Sequence, residues 1–151
     1  ILLSTAAYRT SDDRKKIMAV SKAIEKKGVE PLVETFIKRW FTDEFILSNP
    51  KAVKKRIQDI LDTPSEIFKN VFQIYAQTEM SPWLNKIISP SLILTGELDQ
   101  ACNPRLNRMI ADKMPNSNLV ILENLKHSIL IEASDKVVVP VRNFLIRHLK
   151  G

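Results

Sequence analysis

The stretch SLILTGELDQACNPRLNRMIADKMPNSNLVIL, Ser91 to Leu122, decides the fold. It opens on Ser91-Leu92-Ile93-Leu94-Thr95, a short continuous apolar run of the kind that is covered on both faces in a parallel sheet. Asn103-Pro104 then starts a helix carrying Leu106, Met109 and Ile110, and Leu119 to Leu122 reads as a second strand. Strand, helix and strand in succession make a βαβ unit, and such a unit implies a parallel sheet.

Working outward, Ile1-Leu2-Leu3-Ser4-Thr5 reads as another short buried strand. Four helix signatures separate it from Ser91. Ser11 or Asp12 can cap a helix that stops at Gly28, with Ile17, Val20 and Ile24 as its stripe. Pro31 suits the first position of a second helix, whose wide apolar face is Leu32, Val33, Phe36, Ile37, Trp40 and Phe41. Asn49-Pro50 opens a third, with Val53, Ile57, Ile60 and Leu61 inward. Thr63 and Glu66 form a capping box around Pro64 for a fourth, with the stripe Ile67, Phe68, Val71, Phe72 and Tyr75. A last helix after Leu122 turns Val141, Phe144, Leu145 and Leu149 inward. Pro140 requires it to start near Val139 or to kink. The expected class is α/β.

Composition narrows the function. The 151 residues are 44% apolar, as in a globular domain, and no apolar run approaches the roughly 18 residues of a membrane span. The start, ILLSTAAYRT, has no basic n-region, so no signal peptide is expected there. A single cysteine, Cys102, excludes an internal disulfide framework and fits a reducing cytoplasm. The net charge is +6, but the basic clusters Lys15-Lys16, Lys26-Lys27 and Lys54-Lys55-Arg56 fall in helical segments and read as solvated faces. No groove motif or stacking aromatics accompany them, so neither nucleic acid nor membrane is expected as a partner. With three glycines, the chain is mainly helical, because tight strand turns would need more.

Two polar residues stand where ligands bind in open parallel sheets, beyond the carboxyl ends of the strands. Asp99 follows the strand 91–95 through Gly96-Glu97-Leu98, and His127 follows the strand 119–122 through LENLKHSILIEAS. Parallel strands joined by one helix bring both loops to the same sheet edge. There an aspartate can accept a hydrogen bond from the imidazole, fix its tautomer and favour the imidazolium. Two independent solvated side chains are the other reading of the residue types alone.

LILTGELD followed by NPRLNRMIADKMPNSNLVILENLKHSILIEAS resembles the C-terminal part of an α/β-hydrolase-fold enzyme. The G-E-x-D loop is similar to that family's catalytic acid, here Asp99, and the H-S-I-L-x-E-A turn to its histidine, here His127. KRWFTDEFILSNP resembles the helical cap of the enol-lactonase and small-ester hydrolase branch. The resemblance implies a partial parallel sheet, the last three core strands, at residues 1–10 and 83–151, with a cap at 11–82. It implies a small ester or lactone substrate and no cofactor. It also implies that the cap roofs an apolar pocket, with Trp40 and Tyr8 as lining residues. Trp40, Phe41, Phe68, Phe72 and Tyr75 otherwise serve as cap core.

The family's nucleophile sits in a G-x-S-x-G elbow upstream of the acid. No such motif exists in these 151 residues. The resemblance implies that ILLSTAA is the strand after the nucleophile's helix, so the sequence begins just downstream of the elbow. Ser4 has no elbow to present it, and Ser128 reads as a helix cap. Cys102, three residues from the acid, would approach the imidazole from the wrong side. Glu97 and Glu123 read as solvated or structural, and His148 as a partner of the last helix's dipole. No histidine pair has metal-ligand spacing. The expected partners are the N-terminal hydrolase half or a second copy of the chain, since the strand at Ile1 to Thr5 would otherwise leave an open apolar edge. The rival reading is a non-catalytic, hydrolase-derived binding module. The chain by itself is expected to be inactive.

Overall fold

Strand β2 (Ser91–Gly96) is the centre of a three-stranded parallel sheet, with β1 (Leu2–Leu3) on one side and β3 (Ser117–Leu122) on the other. All six residues of β2 are buried, as expected of a strand with neighbours on both edges and layers on both faces. The register runs from Ser91 opposite Ser117 to Gly96 opposite Leu122, and Leu2 and Leu3 lie opposite Ile93 and Leu94. The first strand is shorter than the expected Ile1–Thr5. Ser4 still donates its N–H to the Leu94 carbonyl (2.8 Å), but it takes φ 45°, a left-handed conformation that ends the extended run.

The computed structural model describes residues 1–148, which fall into two compact units. The sheet belongs to a unit formed by residues 1–8, residues 39–42 and the chain from Met80 onward. Side chains alternate along β2, so the sheet has a core on each face. Leu92 and Leu94 pack with Leu122, Leu125, Ile129 and Val137, the last two from helices α7 (Ile129–Glu132) and α8 (Ser134–His148). Ile93 packs with Ala7, Leu84, Ile110 and Met114, on the side of α6 (Pro104–Lys113) and a 3-10 turn at Ser81–Lys86. Helix α6 is capped as its sequence predicts, the Asn103 side chain accepting from the Leu106 N–H at 3.1 Å with Pro104 next.

Of the two outcomes expected for helix α8, the structure excludes a start near Val139: the helix begins at Ser134 and runs through Pro140. Asp135 in its first turn favours that start, and Val137 anchors it in the core. The proline costs one backbone bond, since it has no N–H to offer the Lys136 carbonyl. Leu149, expected on the inner face, lies outside the described residues.

The second unit comprises residues 9–38 and 43–79 and is helical throughout. Its elements are α1 (Ser11–Lys27), a 3-10 turn at Glu30–Leu32, most of α2 (Val33–Trp40), α3 (Asp43–Ser48), α4 (Pro50–Asp62) and α5 (Ser65–Gln77). Helix α3 had no counterpart in the sequence reading. The cap of α1 is Thr10 and not Ser11 or Asp12: its hydroxyl accepts from the Asp13 N–H (3.1 Å), while the Asp13 carboxylate accepts from the Thr10 N–H (2.8 Å). Gly28, at φ 74°, closes the helix as expected. The box expected at Thr63 does not form, because its hydroxyl donates back to the Asp59 carbonyl and Pro64 holds the cap position. Helix α5 packs along α1 and stacks Phe68 and Phe72 on Phe36, which leaves Ile67 and Val71 outside the stripe and exposed. Leu61, expected inward, is exposed as well. No helix of the described residues is long and apolar enough to cross a membrane.

Ile93 is fully buried at the middle of the central strand. Ile93→Ala should destabilise the protein by about 2–5 kcal/mol, read as a lower denaturation midpoint in urea. A loss below about 1 kcal/mol would mean that β2 is not the core strand.

Candidate active site

The site is built where the loop after β2 meets the loop after β3. Gly96 ends β2, and a Cβ there would stand 2.1 Å from the Lys126 carbonyl oxygen and 2.3 Å from that of Leu125. Only glycine lets the two backbones approach so closely. Three further contacts hold the two loops together, and a fourth ties the second loop to the end of β1. Glu97 donates its N–H to the Leu122 carbonyl (2.9 Å) and Leu98 to that of Leu125 (2.8 Å). The Glu97 carboxylate accepts from the N–H of Asn124 (3.1 Å), itself at φ 58°. Ser4 Oγ donates to the carbonyl of His127 (3.0 Å).

That geometry brings Asp99 and His127 together. Asp99 Oδ2 lies 2.7 Å from His127 Nδ1. The other carboxylate oxygen, Oδ1, accepts from the N–H groups of Ala101 and Cys102, each at 2.9 Å. The aspartate side chain is 1% exposed, whereas that of the histidine is 32% exposed. The carboxylate is therefore held by three partners, and the imidazole reaches solvent.

Burial is the largest single influence on the His127 ring and works against its charge. The hydrogen bonds to Asp99 and to Cys102, with the charges of both, outweigh it and raise the pKa from 6.5 to about 10. The ring is thus the imidazolium at neutral pH, paired with Asp99. A raised folded-state pKa stabilises the protein fully below pH 6.5, and the contribution is lost as pH rises through about 10.

Cys102 lies on the acid's side of the pair, buried, with its N–H on the same carboxylate. Its backbone carbonyl is pinned by Thr95 Oγ1 and by Asn107 Nδ2, both at 2.7 Å. Asn107 is fully buried and also donates to the carbonyls of Thr5 and Asn103. Sequence reasoning missed it. Its only signal was an amide placed beside Leu106 on a helix whose other inward residues are apolar. Donor atoms of Asp99, Cys102 and His127 all lie within 4.8 Å of one another, the set in this region with metal-ligating chemistry.

The remaining candidates fall around this centre. Trp40 belongs to the sheet unit, half-buried, and its carbonyl accepts the N–H of Ser128, next to His127 (2.9 Å). Thr42 continues the strap through its N–H and hydroxyl to the Glu132 carboxylate. Tyr8, at φ 59°, packs on the cluster around Ile93 and Leu84. Ser128 occupies the cap position of α7, but its hydroxyl makes no capping bond. Phe41 is fully buried in the sheet unit, while Phe68, Phe72 and Tyr75 belong to the helical one. His148, in the last described turn, contacts the Phe144 ring.

A three-stranded parallel sheet, helices on both faces, and an aspartate and a histidine joined beyond adjacent strand ends define the class: the chain has the α/β-hydrolase fold. Within that class it is similar to enol-lactonases. It is 26% identical over 105 residues to 3-oxoadipate enol-lactonase 2 of Acinetobacter baylyi, a match covering 70% of this chain and 39% of that protein. It is 33% identical over 81 residues to 3-oxoadipate enol-lactonase 1 of the same organism, covering 54% and 30%. Among solved structures, a thermophilic esterase from Thermogutta terrifontis superposes with a TM-score of 0.81 at 21% identity, over 95% of this chain and 53% of that one. No protein-family model matches. The chain thus aligns with well under half the length of these curated relatives and about half of the solved one.

Two outcomes follow from the geometry. The His127 ring, followed by NMR, should titrate above 6.5 and toward 10, and Asp99→Asn should lower that midpoint; an unshifted midpoint in the variant would sink the pairing. Gly96→Ala should destabilise by about 1–3 kcal/mol, the usual cost of forcing atoms into a filled site. It should also move the His127 ring resonances, and a neutral, spectrally silent substitution would refute the close approach.

Proposed function

We propose that the intact protein cleaves a small carboxylic ester or lactone, with His127 as general base and acid and Asp99 as the group that orients it. The observation that carries this reading is the 2.7 Å contact between Asp99 Oδ2 and His127 Nδ1 at the carboxyl edge of the sheet. A carboxylate on Nδ1 fixes the tautomer and leaves Nε2 to face a nucleophile. The similarity to enol-lactonases and to an esterase supports the substrate class.

In this reading a serine supplied by polypeptide outside the 151 residues gives its proton to Nε2 as it attacks the acyl carbon. The imidazolium then returns the proton to the leaving alkoxide. Water repeats the cycle on the acyl-enzyme. The resting imidazolium must first lose a proton, so the rate should rise with pH as His127 deprotonates. Trp40, strapped beside His127, lines the substrate's site, and Tyr8 is its second wall. The free side of β1 takes the preceding polypeptide of the same protein, or failing that a second copy of the chain, since an open strand edge is adhesive. The proposed location is the cytoplasm.

With a short-chain aryl ester, His127→Ala and Asp99→Asn in the intact protein should lower kcat, the latter by about 10⁴-fold, with KM little changed. The 17.3 kDa chain alone should be inert, for want of a positioned nucleophile and oxyanion donors. Unchanged kcat in both variants would remove His127 and Asp99 from the mechanism, and no turnover by the intact protein would favour the non-catalytic binding module. Hydrolysis by the chain alone, abolished by His127→Ala and by a serine-directed inhibitor, would move the nucleophile to Ser4 or Ser128.

A further inference from the structure

We propose that Asp99, Cys102 and His127 bind a thiophilic divalent cation of the Zn²⁺ type, through one carboxylate oxygen, one thiolate sulfur and one imidazole nitrogen, leaving one position open. The three donor atoms lie within 4.8 Å of one another. They are the three donor types that zinc accepts, and the sulfur selects against hard cations such as Mg²⁺ and Ca²⁺. Paired histidines are the usual sequence signal for such a site, and an Asp-x-x-Cys turn with a histidine from the next loop lacks it.

The distances are close to what coordination needs. Bonds of about 2.0–2.3 Å in a tetrahedron put donor atoms about 3.3–3.6 Å apart. The Asp99–His127 contact of 2.7 Å must open by about 0.7 Å, and the sulfur must close by no more than about 1.3 Å. Rotation of the Cys102 side chain and a small swing of the imidazole cover both. The backbone does not have to move. Cys102 is fixed through its carbonyl by Thr95 and Asn107, and Asp99 through Oδ1 by two N–H groups, so neither anchor uses a donor atom. Outer contacts of this kind orient ligands at metal sites.

Burial favours the same conclusion. Asp99 is 2% exposed and Cys102 3%, so little water competes for either donor, and a divalent cation offsets the carboxylate together with the thiolate that binding creates. The histidine side chain, 32% exposed, is the solvent-facing member of the set and gives the entry path. Binding releases the thiol proton and one imidazolium proton to solvent. The cation also separates Asp99 from the imidazole, so where the hydrolase reading holds it is an inhibitor. The site itself does not rest on that reading.

Co²⁺ is the spectroscopic probe, titrated into the intact protein. The expected result is one-to-one binding with an intense near-ultraviolet thiolate-to-cobalt band, displaced by Zn²⁺. Cys102→Ser should lose that band, and Cys102→Ser and His127→Ala should each bind at least about tenfold more weakly. Zinc-edge X-ray absorption on the unsubstituted protein asks the same question without a variant that has to fold: a sulfur shell near 2.3 Å is expected. A shell of nitrogen and oxygen alone, or a Cys102→Ser protein with the band and affinity intact, overturns the proposal. Because these readouts are spectroscopic, an intact protein that is inactive when free of metal and still shows the band once Co²⁺ is added refutes the hydrolase reading and leaves the metal site standing.

Discussion

The contact between Gly96 and the carbonyls of Leu125 and Lys126 governs the geometry of the sheet unit. Main chain touches main chain there, with no side chain between. The loop after β3 can therefore lie directly on the end of β2, and every later distance follows. Leu125 drops into the core beside Leu92 and Leu94, and His127, two residues on, meets Asp99 at 2.7 Å. A methyl group at residue 96 would push the loop outward by more than the length of a hydrogen bond's tolerance. The polar contact is a consequence of backbone packing, set before any side chain is chosen.

Much of this was legible in the sequence because it depends on short-range signals. A five-residue run at Ser91–Thr95, a capped helix and a second run fix a βαβ unit, and a βαβ unit fixes which loops share an edge. That shared edge made a pairing of Asp99 and His127 possible, and the resemblance to the α/β-hydrolase fold chose it over two independent solvated side chains. Other features hide because they rest on partners far along the chain. Asn107 is an unremarkable helical residue until its amide is seen to hold three carbonyls, one of them that of Thr5. The strap from Trp40 and Thr42 to the start and end of α7 is equally silent, since nothing in KRWFT announces Ser128 or Glu132 as a partner.

The errors have a common cause as well. Thr63 and Glu66 match a capping box, but Thr63 finds the Asp59 carbonyl first. Ile67 and Val71 match an apolar stripe, but the stacking of Phe68 and Phe72 on Phe36 turns them away. Pro140 allows a helix start nearby or a helix that runs on through it, and a core valine and an early aspartate exclude the first. In each case a local rule met a competitor of similar strength, about 1 kcal/mol for a cap and no more for an aromatic contact, and tertiary packing chose.

The two neighbours of β2 stand at very different distances along the chain. Ser117 closes on Ser91 across one short helix, while Leu2 must find Ile93 across the whole helical unit. Chain closure becomes dearer only with the logarithm of loop length, about 0.6 kcal/mol for each doubling. A long excursion between β1 and β2 is thus cheap at equilibrium. Its toll is kinetic. The β2–α6–β3 segment can assemble from contacts nearby in sequence, whereas β1 has only a two-residue ladder with which to capture a distant partner. The first strand is then the last to join the sheet, and the Ser4 amide, bonded to the Leu94 carbonyl, reports opening events that the Thr95 amide, on the β3 side of the central strand, does not.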